Sequence, residues 1–189
     1  AQGLTMTFYA SELAVGQSFT FNGAAETGGA FRIYGGFGAD VITTGGGNDG
    51  IYFGQGRFGA GDSVDGGTGS NDQFALDGNY TVTLGAPQLL GMEVVVLLDG
   101  RARTNNAYNI TLADSLVASG GTLTVSAAVT RGGVTVNGGA ESDALGLVLF
   151  GGSGGDALIG GRGADRLVGS GGSDTLTGGL GADLFEMQG

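Results

Sequence analysis

The sequence predicts an all-β solenoid, and three observations carry that prediction. Residues 151–186 divide into four back-to-back nonapeptides, GGSGGDALI, GGRGADRLV, GSGGSDTLT and GGLGADLFE. Outside them, short segments such as LTMTF, SFTF, YTVTL and TLTV alternate with the two-residue period of half-buried strands. Gly makes up 44 of 189 residues, about three times its usual share. A chain so rich in Gly ordinarily reads as linker or disorder. Here the nine-residue register and a hydrophobic content of 41% argue instead for coils that bury their apolar side against each other.

Each nonapeptide has Gly at its first and fourth positions, Asp at the sixth and an apolar residue at the eighth. The aspartates are Asp156, Asp165, Asp174 and Asp183, and the apolar residues are Leu158, Leu167, Leu176 and Phe185. Glycine turns the backbone without a Cβ clash, so several carbonyl oxygens can converge on one place. A carboxylate at the sixth position adds an anionic oxygen. An all-oxygen shell without sulfur or imidazole is what Ca²⁺ prefers. The last three residues form a short strand that sends one side chain inward.

The pattern resembles the repeats-in-toxin (RTX) family, whose consensus is G-G-x-G-x-D-x-U-x. The resemblance implies a right-handed parallel β-roll or β-helix in which two nonapeptides make one coil and several calcium ions sit between stacked turns. Asp156 and Asp174 would then flank one edge, and Asp165 and Asp183 the other. Carbonyls at the first and third positions complete the candidate ligand set: Gly35, Phe37, Gly151, Ser153, Gly160, Arg162, Gly169, Gly171, Gly178 and Leu180. Ser170 departs from the pattern by replacing the second Gly of its repeat.

Taken in order, the chain opens with Leu4–Phe8 and Ser18–Phe21 as strands around a helical turn at 10–14, followed by a strand around Phe31 and Ile33. Residues 35–43 (GGFGADVIT) match the nonapeptide in full, with Asp40 as ligand. Residues 44–52 (TGGGNDGIY) carry Asp49, with Thr44 in place of the first Gly. In 53–61, Phe58 stands where Asp belongs. The irregular stretch 59–74 offers Asp62 and Asp72 as ligands, whereas Asp65 is either a ligand or a turn residue.

Residues 75–131 contain no nonapeptide. Tyr80–Leu84, Glu93–Leu98, Tyr108–Leu112 and Thr122–Val125 read as strands, with a helical turn at 113–118. This segment either continues the stack or caps one tract. TMTF-YASELAVGQSFTFNGAAE near the start parallels NITL-ADSLVASGGTLTV and then TVNGGAES, with Asn22-Gly23 answering Asn137-Gly138 at an offset of 115 residues. Two tandem units follow, 1–104 and 105–189, each a β-rich lead-in followed by a nonapeptide tract. GGAESDALG (138–146) mimics a nonapeptide but has Glu141 at the fourth position, which favours a structural turn over a calcium site.

Eighteen acidic residues face seven basic ones, all Arg, for a net charge of −11. That balance disfavours nucleic acid and anionic membranes as partners. The compact state repels itself unless cations neutralise it. Cys and His are absent, so disulfides, thiolate sites and the commonest general base are excluded. No apolar run is long enough to span a membrane, and no charged-then-apolar leader opens the chain. Nothing matches a G-x-S-x-G elbow or a G-K-[ST] phosphate loop.

The expectation is therefore a non-enzymatic, secreted calcium-binding structural module that folds when calcium binds. Within the resembled family such a module serves an extracellular S-layer, filament or adhesin, with self-association as a possible partner interaction. The alternative is the export and folding module of a secreted hydrolase or toxin whose catalytic domain lies elsewhere.

Overall fold

The computed structural model describes residues 3–100, 105–114, 116, 121–142 and 146–187. In chain order the strands are β1 Thr5–Tyr9, β2 Thr20–Asn22, β3 Ala30–Tyr34, β4 Val41–Thr43, β5 Gly50–Gly54, β6 Ser63–Asp65, β7 Gln73–Asp77, β8 Tyr80–Leu84 and β9 Leu89–Leu90. They continue with β10 Val94–Leu98, β11 Tyr108–Leu112, β12 Leu123–Ser126, β13 Val134–Asn137, β14 Leu147–Phe150, β15 Ala157–Ile159, β16 Arg166–Ser170, β17 Thr175–Thr177 and β18 Leu184–Met187. The first helical turn is a 3-10 turn at Ala10–Glu12. The one expected at 113–118 lies partly outside the described residues.

Every strand pairing is parallel, as expected of a chain that winds in one direction. A nine-stranded sheet, β1-β3-β5-β7-β10-β12-β14-β16-β18, forms one long face. The other face is shared by a four-stranded sheet, β2-β4-β6-β9, and a five-stranded sheet, β17-β15-β13-β11-β8. The fold is an all-β parallel solenoid, one coil being a strand from each face. Of the two readings of residues 75–131, continuation of the stack is the one observed, because β10 pairs with β7 on one side and β12 on the other.

The core is a ladder of side chains in register. Phe8, Ile33, Ile51, Phe74, Val95, Val125, Leu149, Leu167 and Phe185 follow one another strand by strand down the long sheet. Opposite them run Phe21, Ile42, Val64 and Leu89, and then Val82, Ile110, Val136, Leu158 and Leu176. Each is the inward residue of a short alternating strand, so burial of one coil depends on its neighbours. Phe58, found where Asp was expected, is buried and packs edge-on against Phe53 and Phe74. An apolar side chain there widens the core, and the coil's carboxylate moves to Asp62.

The proposed duplication is uneven in space. Asn22 and Asn137 each accept a backbone N–H two residues on, from Ala24 at 3.1 Å and Gly139 at 2.9 Å. Glu26 and Glu141 each donate their own N–H back to the Gly of the same turn, at 2.9 Å in both. Yet Thr5–Tyr9 lies in the long sheet and Tyr108–Leu112 in the opposite one. Alternation marks a strand but not which face it joins, so the pairing of TMTF with NITL does not carry over.

Candidate metal centre

Aspartates line both edges where the chain turns between faces. Asp40, Asp49, Asp62, Asp72, Asp156 and Asp165 are at most 4% exposed, whereas Asp174 and Asp183, in the last coils, are half-buried. Burying so many carboxylates is costly unless each finds hydrogen bonds and compensating charge.

The hydrogen bonds form vertical ladders. Asp156 donates its N–H to Asp174 Oδ1 at 3.0 Å, and Val134 donates to Asp156 Oδ1 at 2.8 Å. On the other edge Asp165 donates to Asp183 Oδ1 at 3.0 Å, and Leu147 donates to Asp165 Oδ1 at 2.7 Å. This separates the four aspartates into the two pairs expected. The first tract repeats the scheme. Phe19 donates to Asp40 and Asp40 to Asp62, while Phe31 donates to Asp49 and Asp49 to Asp72. Each rung spans 18 residues from Asp156 and Asp165 to the next coil, but 22 and 23 from Asp40 and Asp49. The longer coils explain why the nonapeptide register fails after residue 52.

One rung was not foreseen. Asp72 donates its N–H to Glu93 Oε2 at 2.8 Å, so Glu93 occupies the acid place one coil beyond the last aspartate. The available signal was position: Glu93 directly precedes β10, much as each repeat aspartate precedes its strand. Asp65, in contrast, accepts Gly67 N–H within its own turn at 3.0 Å and takes no rung. Asp114 is exposed and bonds Ser142, away from both ladders.

The second carboxylate oxygen faces the turn. Gly36, Gly152 and Gly161 each donate to Oδ2 of the aspartate four residues on, at 2.7 Å. A Cβ built on Gly151, Gly160, Gly169 or Gly178 would collide with Oδ2 of that repeat's own aspartate. At Gly151 it would also lie 2.6 Å from the Gly169 carbonyl of the next coil, and at Gly160 it would run into the Gly178 carbonyl. Carboxylate and carbonyl oxygens from two coils thus converge where only a hydrogen fits. Among the first- and third-position carbonyls, those of Gly169 and Gly178 sit at this convergence. Ser153, Gly171 and Leu180 donate their N–H to the coil before, at 3.0 Å. Gly35 backs onto the Phe53 ring, and Phe37 lies beneath the Arg57 guanidinium at 4.1 Å. Arg162 is exposed.

Electrostatics mark the site as short of positive charge. Oδ2 of Asp72 and of Asp174 are buried without a hydrogen bond. Burial, aided by the neighbouring carboxylates of Asp49 and Glu93, pushes Asp72 up to about 7. Burial likewise raises Asp62 and Asp156. Among the described residues no three acidic side chains cluster tightly enough to hold a metal alone. Any cation must therefore draw on backbone carbonyls, and a mixed carbonyl–carboxylate shell suits Ca²⁺.

Residues 28–57 and 150–185 match the model of the RTX calcium-binding nonapeptide repeat, in four copies. The chain carries RTX calcium-binding repeats. Its cofactor is calcium, bound at multiple sites. No curated protein and no solved structure matches the chain significantly. The matched RTX segments cover the aspartates from Asp40 to Asp49 and from Asp156 to Asp183, while Asp62, Asp72 and Glu93 extend the same ladders beyond them. No helix among the described residues is long and apolar enough to cross a membrane.

Proposed function

We propose that this chain is a secreted structural module whose coils close on calcium, serving in an extracellular S-layer, filament or adhesin. The acid ladder carries the reading: buried aspartates stacked coil on coil, with Oδ2 of Asp72 and Asp174 lacking any hydrogen bond. Asp40, Asp62, Asp49, Asp72, Asp156, Asp174, Asp165 and Asp183, with Glu93, supply the carboxylates, and the turn carbonyls supply the rest. Calcium there would offset the self-repulsion of a chain of net charge −11. Binding free energy then becomes folding free energy, which suits export as a loose chain and folding outside the cell.

No catalytic role is assigned to the chain, and the two tandem units serve as repeated structural elements. Self-association is supported by the end coils. Leu4, Met6 and Tyr9 around β1, and Leu184, Phe185 and Met187 on β18, are exposed beside open strand edges. Further coils, from this chain or a second copy, would cover them. The test is a calcium titration followed by far-ultraviolet circular dichroism, with magnesium as control, and by light scattering. A calcium-specific coil-to-β transition reversed by chelator is expected. Full β structure in chelator would overturn the reading.

A further inference from the structure

The outer side of the long sheet carries a groove of about 790 Å³ that shares no residue with the acid ladders. Tyr34 on β3, Tyr52 on β5, Asp77 on β7 and Leu98 on β10 line it, with Asp99 and Arg131 from the following turns. Its volume is that of a small-molecule cleft. Tyr34 is stacked on Tyr9 at 4.9 Å and 11°, and meets Tyr52 at 5.2 Å. These outward-facing rings form a fixed aromatic wall.

The polar groups are unequal. Asp77 is committed at both oxygens: Tyr52 donates its hydroxyl to Oδ2 at 2.7 Å, and Asn106 donates Nδ2–H to Oδ1 at 3.0 Å. Asp99 is 5% exposed, and its Oδ1 accepts the Asn106 N–H at 2.8 Å. Its Oδ2 is buried in the groove wall with no hydrogen bond, and Arg131 Nε stands 4.0 Å away. A buried carboxylate oxygen left without a hydrogen-bond donor is costly, and a ligand hydroxyl that displaces the exposed Arg131 side chain covering it would supply one.

A ligand that fits must therefore donate to Asp99, accept from the half-exposed Arg131 guanidinium and lay an apolar face on tyrosine rings. A polyanion is opposed by Asp77, Asp99 and the chain's net charge of −11. A metal ion is disfavoured because both oxygens of Asp77 are already engaged. A pyranose has hydroxyls around its rim and C–H bonds on its faces, so it meets all three demands. We propose that this groove binds a neutral saccharide chain. The proposal goes beyond the calcium role and requires only that the coils be folded.

The chain has five tyrosines and no tryptophan, and Tyr34 and Tyr52 line the groove, so part of its intrinsic fluorescence reports on it. The folded protein in saturating calcium is titrated with maltohexaose, cellohexaose and xylohexaose, with polygalacturonate as the anionic control. Calorimetry gives the affinity, and circular dichroism on the same samples reports calcium-coupled folding separately. At least one neutral probe is expected to quench the fluorescence. Tyr34→Ala should weaken its binding about tenfold, the scale of one lost aromatic contact. Arg131→Ala, at an exposed position that spares the core, should also weaken it. Asp99→Asn should act likewise where it folds. The proposal is overturned if no neutral probe binds at millimolar concentration, if polygalacturonate binds tighter than all of them, or if Tyr34→Ala and Arg131→Ala both bind unchanged.

Discussion

Asp156 donates its backbone N–H to Asp174 Oδ1 at 3.0 Å, so the carboxylate of one RTX repeat ties its coil to the next. Charge and hydrogen bonding in these residues are therefore separable by mutation. Asp165→Ala strips the acceptor from the N–H groups of both Leu147 and Gly161, each bonded at 2.7 Å. Leaving a buried donor unpaired costs about 1–3 kcal/mol. Asp165→Asn keeps an acceptor oxygen but removes the charge. Calcium isotherms should show weaker binding in both variants, while urea melts in saturating calcium should show the larger loss in Asp165→Ala. Asp114→Ala should leave affinity unchanged, since Asp114 is exposed and its hydrogen bonds among the described residues go to Ser142, away from both ladders. An equal drop in affinity at Asp114 and Asp165 would sink the assignment.

Asp72, pushed up to about 7 by burial, gives the fold a pH dependence whose sign follows from linkage. A carboxyl group raised on folding favours the folded state when protonated. That contribution is complete below its ordinary value near 4 and is lost as the pH rises through about 7. Asp62 and Asp156, raised by burial, act in the same direction. Calcium needs the ionised form, so its affinity should rise over the same range and its binding should release protons. Calorimetry in buffers of different ionisation enthalpy measures that release. A pH-independent isotherm without proton release would contradict it.

Ser170 has φ +67°, in the left-handed region that a side chain disfavours, at the bulge where β16 meets β18. It replaces the second Gly of the third nonapeptide, so the strain has a simple remedy. Ser170→Gly should stabilise the calcium-bound protein by about 1 kcal/mol, read as a shift of its urea midpoint. No shift, or a loss, would mean that the serine side chain compensates the strain.

The second tract was legible because its period is rigid. With Asp at every ninth residue, and with the two-nonapeptide coil that the RTX resemblance implies, the edge that each aspartate occupies and the partner it meets both follow. The first tract was only partly legible, since its rungs span 22 and 23 residues and the extra residues fall in turns of no fixed composition. Glu93 was missed for that reason, although it precedes its strand as the aspartates do. Alternation could not assign Tyr108–Leu112 to a face, because period two is the same on either side. The groove escaped notice altogether. Tyr34 and Tyr52 become neighbours only through the register of β3 and β5, and Asp99 and Arg131 come from separate turns.

Leu167 and Phe185 are consecutive members of one core column, yet they differ in what covers them. Leu167 is fully buried, whereas Phe185, on the last strand, is 49% exposed. Leu167→Ala should cost about 2–5 kcal/mol at any protein concentration, because the cavity lies between coils of one chain. Phe185→Ala should cost less in dilute solution. If a second copy stacks on β18, that copy would bury Phe185, and its contribution would grow with concentration as association is linked to folding. Thermal melts over a hundredfold dilution series, with light scattering on the same samples, separate the cases. A concentration-dependent gap between wild type and Phe185→Ala supports end-on assembly. A gap that stays constant, with no change in scattering, argues that this end of the solenoid does not pair with a second copy.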